Sequence, residues 1–290
     1  MRKNLFLTLG LIACSGWVVA QSNTSTVNST GNNNEVTVTQ VGSMNQSLVN
    51  QTGDLNVATT SQNGIQNNGN QLQAGDENEA NIRQAGETNA ARQSQYGDNN
   101  LANASQDGTG NYLTQWQNGN ANSASAAQAG TSNYSRQDQT GDMNAEDVSQ
   151  SGGSNWVWQW QRGMSNTSAN SQNGNSNATR QYTNGDGNSA SVSQDGDGNY
   201  AEQLQGLWFE NGTYWYWLSS DPGSYNSAAD IDQTGNDNDA YQEQWGNGHL
   251  AATAQTGDLN LGRTYQNGDG HVSSINQVGN SNVANVHQTN

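Results

Sequence analysis

The sequence predicts an all-β protein, a two-sheet β-solenoid of about eleven rungs, stacked in a cross-β manner like an amyloid, in which each rung consists of two eleven-residue units. Three observations lead to this prediction. The motif Gln-x-Gly-x-x-Asn recurs every eleven residues, the residues between its copies alternate in polarity with a period of two, and one of these positions alternates between two residue types from copy to copy. A fixed period overrides local propensity, so it decides the fold class.

The eleven-residue period is nearly unbroken. Gln recurs at positions 40, 51, 62, 73, 84, 95, 106, 117, 128, 139, 150, 161, 172, 194 and 205, with Thr183 in the single missing place, and again from 233 to 288. Gly follows two residues later and Asn five residues later. Eleven residues are too few for a helical hairpin and suit one strand with one tight turn.

The inward side of each strand follows from alternation of side chains along a strand. Asn, the residues two and four positions after it, and the next Gln share one side. The residue two after Asn is mostly Ala, which predicts a narrow interior, and the residue four after Asn alternates, as in Gln71, Ile82, Gln93 and Ala104. The true repeat is therefore a pair of eleven-residue units, with a Gln-lined strand facing an aliphatic one.

Stacked rungs place identical amide side chains above one another, so they form hydrogen-bonded ladders that satisfy buried Asn and Gln. Gly two residues after Gln permits a turn conformation that a Cβ atom resists. The predicted structural ladder consists of Gln51, Gly53, Asn56, Ala58, Gln73, Gly75, Asn78, Gln95, Gly97, Asn100, Gln117, Gly119, Asn122, Gln194, Gly196 and Asn199.

Residues 1–20 have the pattern of a signal peptide, since Arg2 and Lys3 precede an apolar run and small residues stand before Gln21. Cleavage after Ala20 is the first interpretation, and lipoprotein processing at Cys14 is the alternative. No other segment is apolar enough to span a membrane. Residues 21–28 form a short lead, and 29–205 and 233–290 form the repeats.

Residues 206–232 break the period. The stretch LWFENGTYWYWL, 207–218, has Asn211-Gly212 between two aromatic runs, which predicts a hairpin. The next copy of the turn part of the motif, here called the anchor, lies at 221–226 and ends at Asn226. We interpret the segment as a rung with longer, protruding strands. The alternative is an insertion that folds back onto the aromatic sheet.

Aromatic residues are the candidates for a lateral contact with another filament or a surface. Their alternative role is to stabilise the stacked strands. The candidates are Trp156, Trp158, Trp160, Trp208, Phe209, Tyr214, Trp215, Tyr216 and Trp217. We also expect one outward column of Arg136, Trp158, Arg180 and Glu202.

Composition and spacing argue against several functions. A net charge of −17 with eight basic residues argues against nucleic-acid binding. The acidic stretch 195–199 lacks EF-hand spacing, because Gly206 stands where a Glu ligand belongs. His249 and His271 take Asn positions one rung apart and should stack without a third metal ligand. We therefore predict no metal, no cofactor and no catalytic site, hence no enzyme.

The extended motif Gln-x-Gly-x-x-Asn-x-Ala-x-x-x-Gln resembles the curlin repeat. It stands at Gln51-Gly53-Asn56-Ala58-Gln62 and begins again at Gln73, Gln95 and Gln117. The resemblance spans roughly residues 29–290. It implies a protein that crosses the outer membrane unfolded through a dedicated channel and polymerises, with nucleator and chaperone proteins, into curli fibres (fimbriae) at the bacterial surface for biofilm matrix and adhesion.

This chain departs from the better-known curlins in having about eleven rungs, where those have about five repeats, and in its short lead, which leaves the export route open. The leading interpretation is a secreted fibre subunit that stacks head-to-tail with copies of itself. The alternatives are the nucleator of the same fibres and a capped, monomeric solenoid that binds ice or another surface. A hydrolytic β-helix lacks its catalytic cluster.

Overall fold

The computed structural model describes residues 22–206 and 223–290, together with the backbone pairing of three short strands, Leu7–Leu9, Phe209–Glu210 and Thr213–Tyr214. The rest of the predicted signal peptide, including Cys14 and Ala20, lies outside the described residues, as do Trp208, Trp215, Tyr216 and Trp217. The described chain contains strands and turns and no helix.

Twenty-five strands form two long parallel sheets. The strands of the first, here called the aliphatic sheet, are β1 Leu7–Leu9, β3 Glu35–Ser43, β5 Val57–Ile65, β7 Glu79–Glu87, β9 Leu101–Thr109, β11 Ser123–Thr131, β13 Ala145–Gly153, β15 Thr167–Asn175, β17 Ser189–Asp195, β22 Ala228–Thr234, β24 Leu250–Thr256 and β26 Val272–Val278. Those of the second, here called the glutamine sheet, are β2 Thr24–Thr30, β4 Gln46–Thr52, β6 Asn68–Ala74, β8 Ala90–Tyr96, β10 Tyr112–Asn118, β12 Tyr134–Thr140, β14 Trp156–Arg162, β16 Ala178–Asp186, β18 Tyr200–Gln205, β23 Asp239–Asn247, β25 Leu261–Asp269, β27 Val283–Thr289, and β21 Ser224–Tyr225 beside it.

Register follows the repeat. Within each sheet a strand pairs with the equivalent strand of the next rung, two eleven-residue units along the chain, as Gln115 pairs with Gln137 and Ala104 with Ala126. Consecutive strands along the chain lie in opposite sheets, so one strand of each sheet with its two turns makes one rung. The predicted all-β, two-sheet solenoid with two units per rung is confirmed.

The interior is thin and mixed. Aliphatic side chains such as Ile82, Leu113 and Val148 form the largest apolar cluster, and the other inward positions hold buried Asn, Gln and Ala. Because so little apolar surface is buried, hydrogen bonds between buried amides must contribute much of the specificity of this core.

The turns explain the Gly of the motif. Gly75 has a φ of 128°, and a Cβ there would collide with the carbonyl oxygen of Gly97 in the next rung. Positive φ alone disfavours side chains, and this close approach of two backbones excludes them. Glu77, two residues further, has a φ of 58° in the left-handed region yet carries a side chain, because that position is exposed to solvent.

The irregular segment differs from the interpretation as a protruding rung. Gln194 hydrogen-bonds to Gln233, a separation of 39 positions where Gln172 and Gln194 are separated by 22, so the chain carries 17 extra residues in one turn. The strands on either side keep their ordinary length and register, and β22 pairs with β17 from Ala228 onward. Residues 228–232, placed in the irregular segment by sequence, therefore belong to the regular array.

The anchor of that turn is also shifted by one residue. Ser227 occupies the ladder position, and its backbone N–H donates to Oδ1 of Asn188 at 3.0 Å. Asn226, the predicted anchor, instead takes the left-handed turn position with a φ of 52°. Within the extra residues, Phe209–Glu210 pairs antiparallel with Thr213–Tyr214 around Asn211-Gly212. Because Ser227 replaces Asn in the ladder, the motif did not reveal the residue at which the regular array resumes.

Candidate functional site: amide ladders and an aromatic face

The Gln of the motif forms a buried ladder at each side of the interior, and the ladder of the glutamine sheet is interrupted once, between Gln161 and Thr183. Nε2 of Gln51 donates to Oε1 of Gln73 at 2.9 Å, and the contact repeats from Gln73 to Gln95 and from Gln95 to Gln117 at 3.0 Å. Each Nε2 also donates to a backbone carbonyl, as Gln73 does to Val57 at 2.9 Å. These amides are therefore satisfied although they have no contact with water.

A second Gln ladder runs through the interior of the glutamine sheet. It comprises the residues four positions after Asn from Gln71 to Gln242. Nε2 of Gln115 donates to Oε1 of Gln137 at 2.8 Å and to the carbonyl of Asn103, on the opposite sheet, at 2.9 Å. These side chains thus connect neighbouring rungs and also the two sheets.

The Asn ladder runs in the opposite sense to the Gln ladders. Oδ1 of Asn56 accepts from the backbone N–H of Asn78 at 3.0 Å and from its Nδ2 at 3.1 Å. Nδ2 of Asn78 also donates to the carbonyl of Gly97 at 2.7 Å. The carbonyl that excludes a Cβ at Gly75 is therefore held in place by an Asn of the motif.

The sequence-predicted ladder residues hold corresponding positions in their eleven-residue units, with Gln194 in the aliphatic sheet and the other Gln residues in the glutamine sheet. The Gln and Asn residues are buried and the Gly residues occupy turns of positive φ: Gln51, Gly53, Asn56, Gln73, Gly75, Asn78, Gln95, Gly97, Asn100, Gln117, Gly119, Asn122, Gln194, Gly196 and Asn199. Ala58 is fully buried beside the aliphatic cluster of the first rungs. Thr183 keeps the contact on one side by donating from Oγ1 to Oε1 of Gln205, whereas Gln161 on its other side donates, among the described residues, only to the carbonyl of Ala145.

Aromatic side chains of the two long sheets lie entirely in the glutamine sheet within the described strands. Tyr112, Tyr134 and Trp156 stack on successive strands, with ring centroids 5.4 and 6.1 Å apart and planes within 11°. We call this outward surface of the glutamine sheet the aromatic face. The aliphatic sheet shows mainly Ser, Thr, Ala and Asn on its outward side.

The predicted outward column is confirmed, since Arg136, Trp158, Arg180 and Glu202 pair in succession. The Arg136 guanidinium lies 4.9 Å from the ring centroid of Trp158, a cation–π contact. Trp156, Trp158 and Trp160 thus lie together on one strand of the aromatic face. For Phe209 and Tyr214, the other described candidates, the structure gives only the strand pairing.

Three carboxyl groups with raised pKa values, those of Asp138, Glu146 and Glu243, were not anticipated from the sequence. Asp138 lies between Trp116 and Trp160 in the strand stack and is only 4% exposed. Burial raises its pKa, while the Arg136 guanidinium, with Nε 2.6 Å from Oδ2, opposes the shift. The signal was present in the sequence, because residues 116, 138 and 160 hold the same position in successive rungs.

Glu146 occupies an inward position that holds Ala in the neighbouring rung at Ala124. It is fully buried, neither carboxyl oxygen has a hydrogen-bond partner, and burial raises its pKa well above the usual range. On the aromatic face, burial and the nearby Glu202 raise the pKa of Glu243 to about 7.

The His249 and His271 rings stack as predicted, with centroids 5.4 Å apart and planes within 3°. Across residues 22–206 and 223–290, no three His, Cys, Asp or Glu side chains are grouped as metal ligands would be. The same part of the chain contains no helix long and apolar enough to cross a membrane.

Comparison with known families gives one match. Residues 31–64 and 75–112 match the family described as the curlin associated repeat. These segments contain strands of both sheets and the Gln, Gly and Asn of the ladders, so the resemblance to curlin repeats is confirmed. No curated protein matches the chain.

Proposed function

We propose, from the curlin associated repeats that this chain carries, that it is a structural subunit that stacks with copies of itself into extracellular fibres of the curli type. The observation that supports this proposal is the set of amide ladders that runs through the rungs in constant register, with only a few positions, such as Thr183 and Ser227, held by other residues.

Most rungs present the same pattern of groups to their neighbours. Towards the C-terminal side such a rung offers Gln Nε2 donors and Asn Oδ1 acceptors, and towards the N-terminal side it offers the complementary set. The strand backbones add parallel hydrogen bonds to this pattern. A rung from another copy satisfies these groups as well as a rung of the same chain does, and this repetition is the basis of cross-β growth.

The wider context follows from the family. We propose that residues 1–20 direct export and are removed after Ala20, and that the chain reaches the cell surface through an outer-membrane channel of the curli system. There it joins a biofilm matrix and contributes to adhesion, with a nucleator and chaperones as partners.

Electron cryomicroscopy of residues 21–290, incubated without denaturant, tests the assembly. We expect filaments with an axial repeat of about 4.8 Å and a subunit length of about 50 Å, eleven strand spacings. A stable, soluble monomer that forms no filaments, even with preformed seeds, would overturn the proposal and favour a solitary surface-binding solenoid.

A further inference from the structure

A groove on the aromatic face has the chemistry of a ligand site, and the side chains that line it from outside are not needed for the amide ladders. We propose that this groove binds an acidic polysaccharide through its uronate units. The proposal concerns binding by a single copy and does not depend on polymerisation.

Three columns of side chains build the groove. Its floor is the succession Arg92, Thr114 and Arg136 on β8, β10 and β12. One wall consists of Tyr112 and Tyr134, and Trp116, Asp138 and Trp160 form the other. The two Arg lie two strands apart, about 9.6 Å along the stack, so the groove follows the long axis of the solenoid and suits an extended chain of linked units.

The groove offers hydrogen-bonding groups at its base. Both contacts of the Asp138 carboxylate, from Nε of Arg136 and from Nε1 of Trp158 at 3.3 Å, go to Oδ2. Oδ1 is left to accept from a ligand hydroxyl. Thr114 and Ser94 also line the groove and bring their hydroxyls to it. A recessed carboxylate with hydroxyls around it matches the hydroxyl groups of a sugar.

Charge selects an acidic sugar. Arg136 is neutralised by Asp138, whereas Arg92 is exposed and has no ion-pair partner among the described residues. The groove is therefore positively charged although the chain carries a net charge of −17. Beyond residue 20, five of the six Arg lie in the glutamine sheet: Arg92, Arg136, Arg162, Arg180 and Arg263. A guanidinium binds a carboxylate with charge-assisted hydrogen bonds.

The aromatic walls favour a sugar ring over a planar aromatic ligand. The faces of Tyr112 and Tyr134 cover each other, so these rings present their edges to the groove. A planar ligand would need free ring faces to stack on, whereas the puckered ring of a pyranose needs no stacking and can bind through its hydroxyls to the polar groups of the groove.

The test uses residues 21–290 and measures the affinity for oligogalacturonate by isothermal titration calorimetry, with neutral cello-oligosaccharide of equal length as comparison. We expect oligogalacturonate to bind, and to bind less tightly as salt increases. Arg92→Gln should lower the affinity at least tenfold, and Thr114→Val several-fold. Arg83→Gln, the same change on the outward side of the aliphatic sheet, should leave it unchanged.

Several results would overturn the proposal. These are no binding by the wild-type chain, equal losses in Arg92→Gln and Arg83→Gln, or equal affinity for the neutral oligosaccharide. A fourth is Arg92→Gln filaments that bundle less while oligogalacturonate binding is unchanged, which would assign the groove to the acidic turns of a second copy. Filament formation by each variant, seen by electron microscopy, is a separate readout of the proposed function.

Discussion

The two sheets share one backbone plan and differ in almost everything else. Both are parallel, both keep the register of two units per rung, and both contain a motif Gln ladder. Inside, the glutamine sheet contributes residues such as Gln115 where the aliphatic sheet contributes Ala126. Outside, one sheet displays aromatic rings and Arg, and the other displays small polar side chains.

This difference distinguishes the residues that determine the fold, which both sheets share, from the residues that determine the surface chemistry, which differ between the sheets. The Gln and Asn positions of the motif face the neighbouring rung and hold side chains that can hydrogen-bond to it, as Thr183 and Ser227 do where they replace Gln and Asn. Outward positions meet solvent, so they differ freely between the sheets. The position four residues after Asn is intermediate, since either hydrogen-bonded amides or aliphatic groups fill the same space.

The largest effect should come from a turn, which both sheets share. In Gly97→Ala the new Cβ meets the backbone of Gly119 at a φ of 102°, so we expect a loss of about 2–6 kcal/mol, from backbone strain and overpacking together. The measurement is the free energy of unfolding in guanidinium chloride.

Gly248→Ala is the matched control. Gly248 has a φ of 66°, nothing lies within 4 Å of its added Cβ, and Ala121 occupies the same place in another rung with a φ of 55°. We expect a change of less than about 1 kcal/mol. Equal losses in both variants would show that positive φ, and not the close approach of rungs, is what requires Gly in the motif.

The second-largest effect should distinguish the inward side of the glutamine sheet from that of the aliphatic sheet. Gln115→Leu removes the partner of Gln93 Nε2 and of Gln137 Oε1, two buried groups. An unsatisfied buried group costs about 1–3 kcal/mol, so we expect a loss of about 2–5 kcal/mol. Ile82→Val, in the aliphatic sheet, should cost about 0.5–1.5 kcal/mol. If Gln115→Leu were no less stable than Ile82→Val, the second Gln ladder would only fill space in the interior, and its hydrogen bonds would not contribute to stability.

The sequence predicted the parts of this comparison that depend on spacing. The period, the alternation at positions such as Gln71 and Ile82, and the outward column with Trp158 all follow from counting residues. The hairpin at Asn211-Gly212 also followed, but the bounds of the inserted turn did not, because a long loop costs little entropy and leaves the register of the rungs unchanged, while Ser227 replaces the expected Asn.

The site was harder to predict than the fold. The burial of Asp138 depends on the size of Trp116 and Trp160 beside it. These three residues lie in three different rungs, so no single repeat predicts that burial. The burial of Glu146 contradicts the usual preference of a carboxylate for water. Only the register, applied to every outward and inward position, brings these residues together.

A third prediction uses Glu146, where the aliphatic sheet departs from its own pattern. Its pKa is raised in the folded state, so folding binds a proton and stability falls as pH rises from about 4.5 towards the raised pKa. Glu146→Ala removes this cost and two unsatisfied oxygens. We expect a gain of about 1–3 kcal/mol at pH 7, and a smaller gain at pH 4.

Ser168→Ala, one rung away in the same column, is the control. Its buried hydroxyl also has no partner, but it does not titrate. Unfolding in guanidinium chloride at pH 4 and pH 7 should show a pH-independent change in this variant. A Glu146→Ala gain that is the same at both pH values would mean that the carboxyl is not protonated on folding.

The smallest effect concerns the outward sides. Tyr134→Leu breaks the ring stack with Tyr112 and Trp156, so we expect a loss of about 0.5–1.5 kcal/mol in the free energy of unfolding. Ser123→Ala, on the outward side of the aliphatic sheet, should change stability by less than about 0.5 kcal/mol. If the two variants were equally stable, the aromatic column would have no structural role and its rings would be free for contacts with other molecules.

Because the Gln and Asn ladders run in opposite senses, the solenoid has a polarity along its axis. Along the axis each Gln Nε2 donates to the Gln of the next rung, whereas each Asn Oδ1 accepts from the Asn of the next rung, so the two ends of a stack of rungs are chemically unlike. Inverting a copy would set Gln donors against donors and Asn acceptors against acceptors. In the proposed fibre all subunits therefore share one polarity, and the two ends should elongate at different rates.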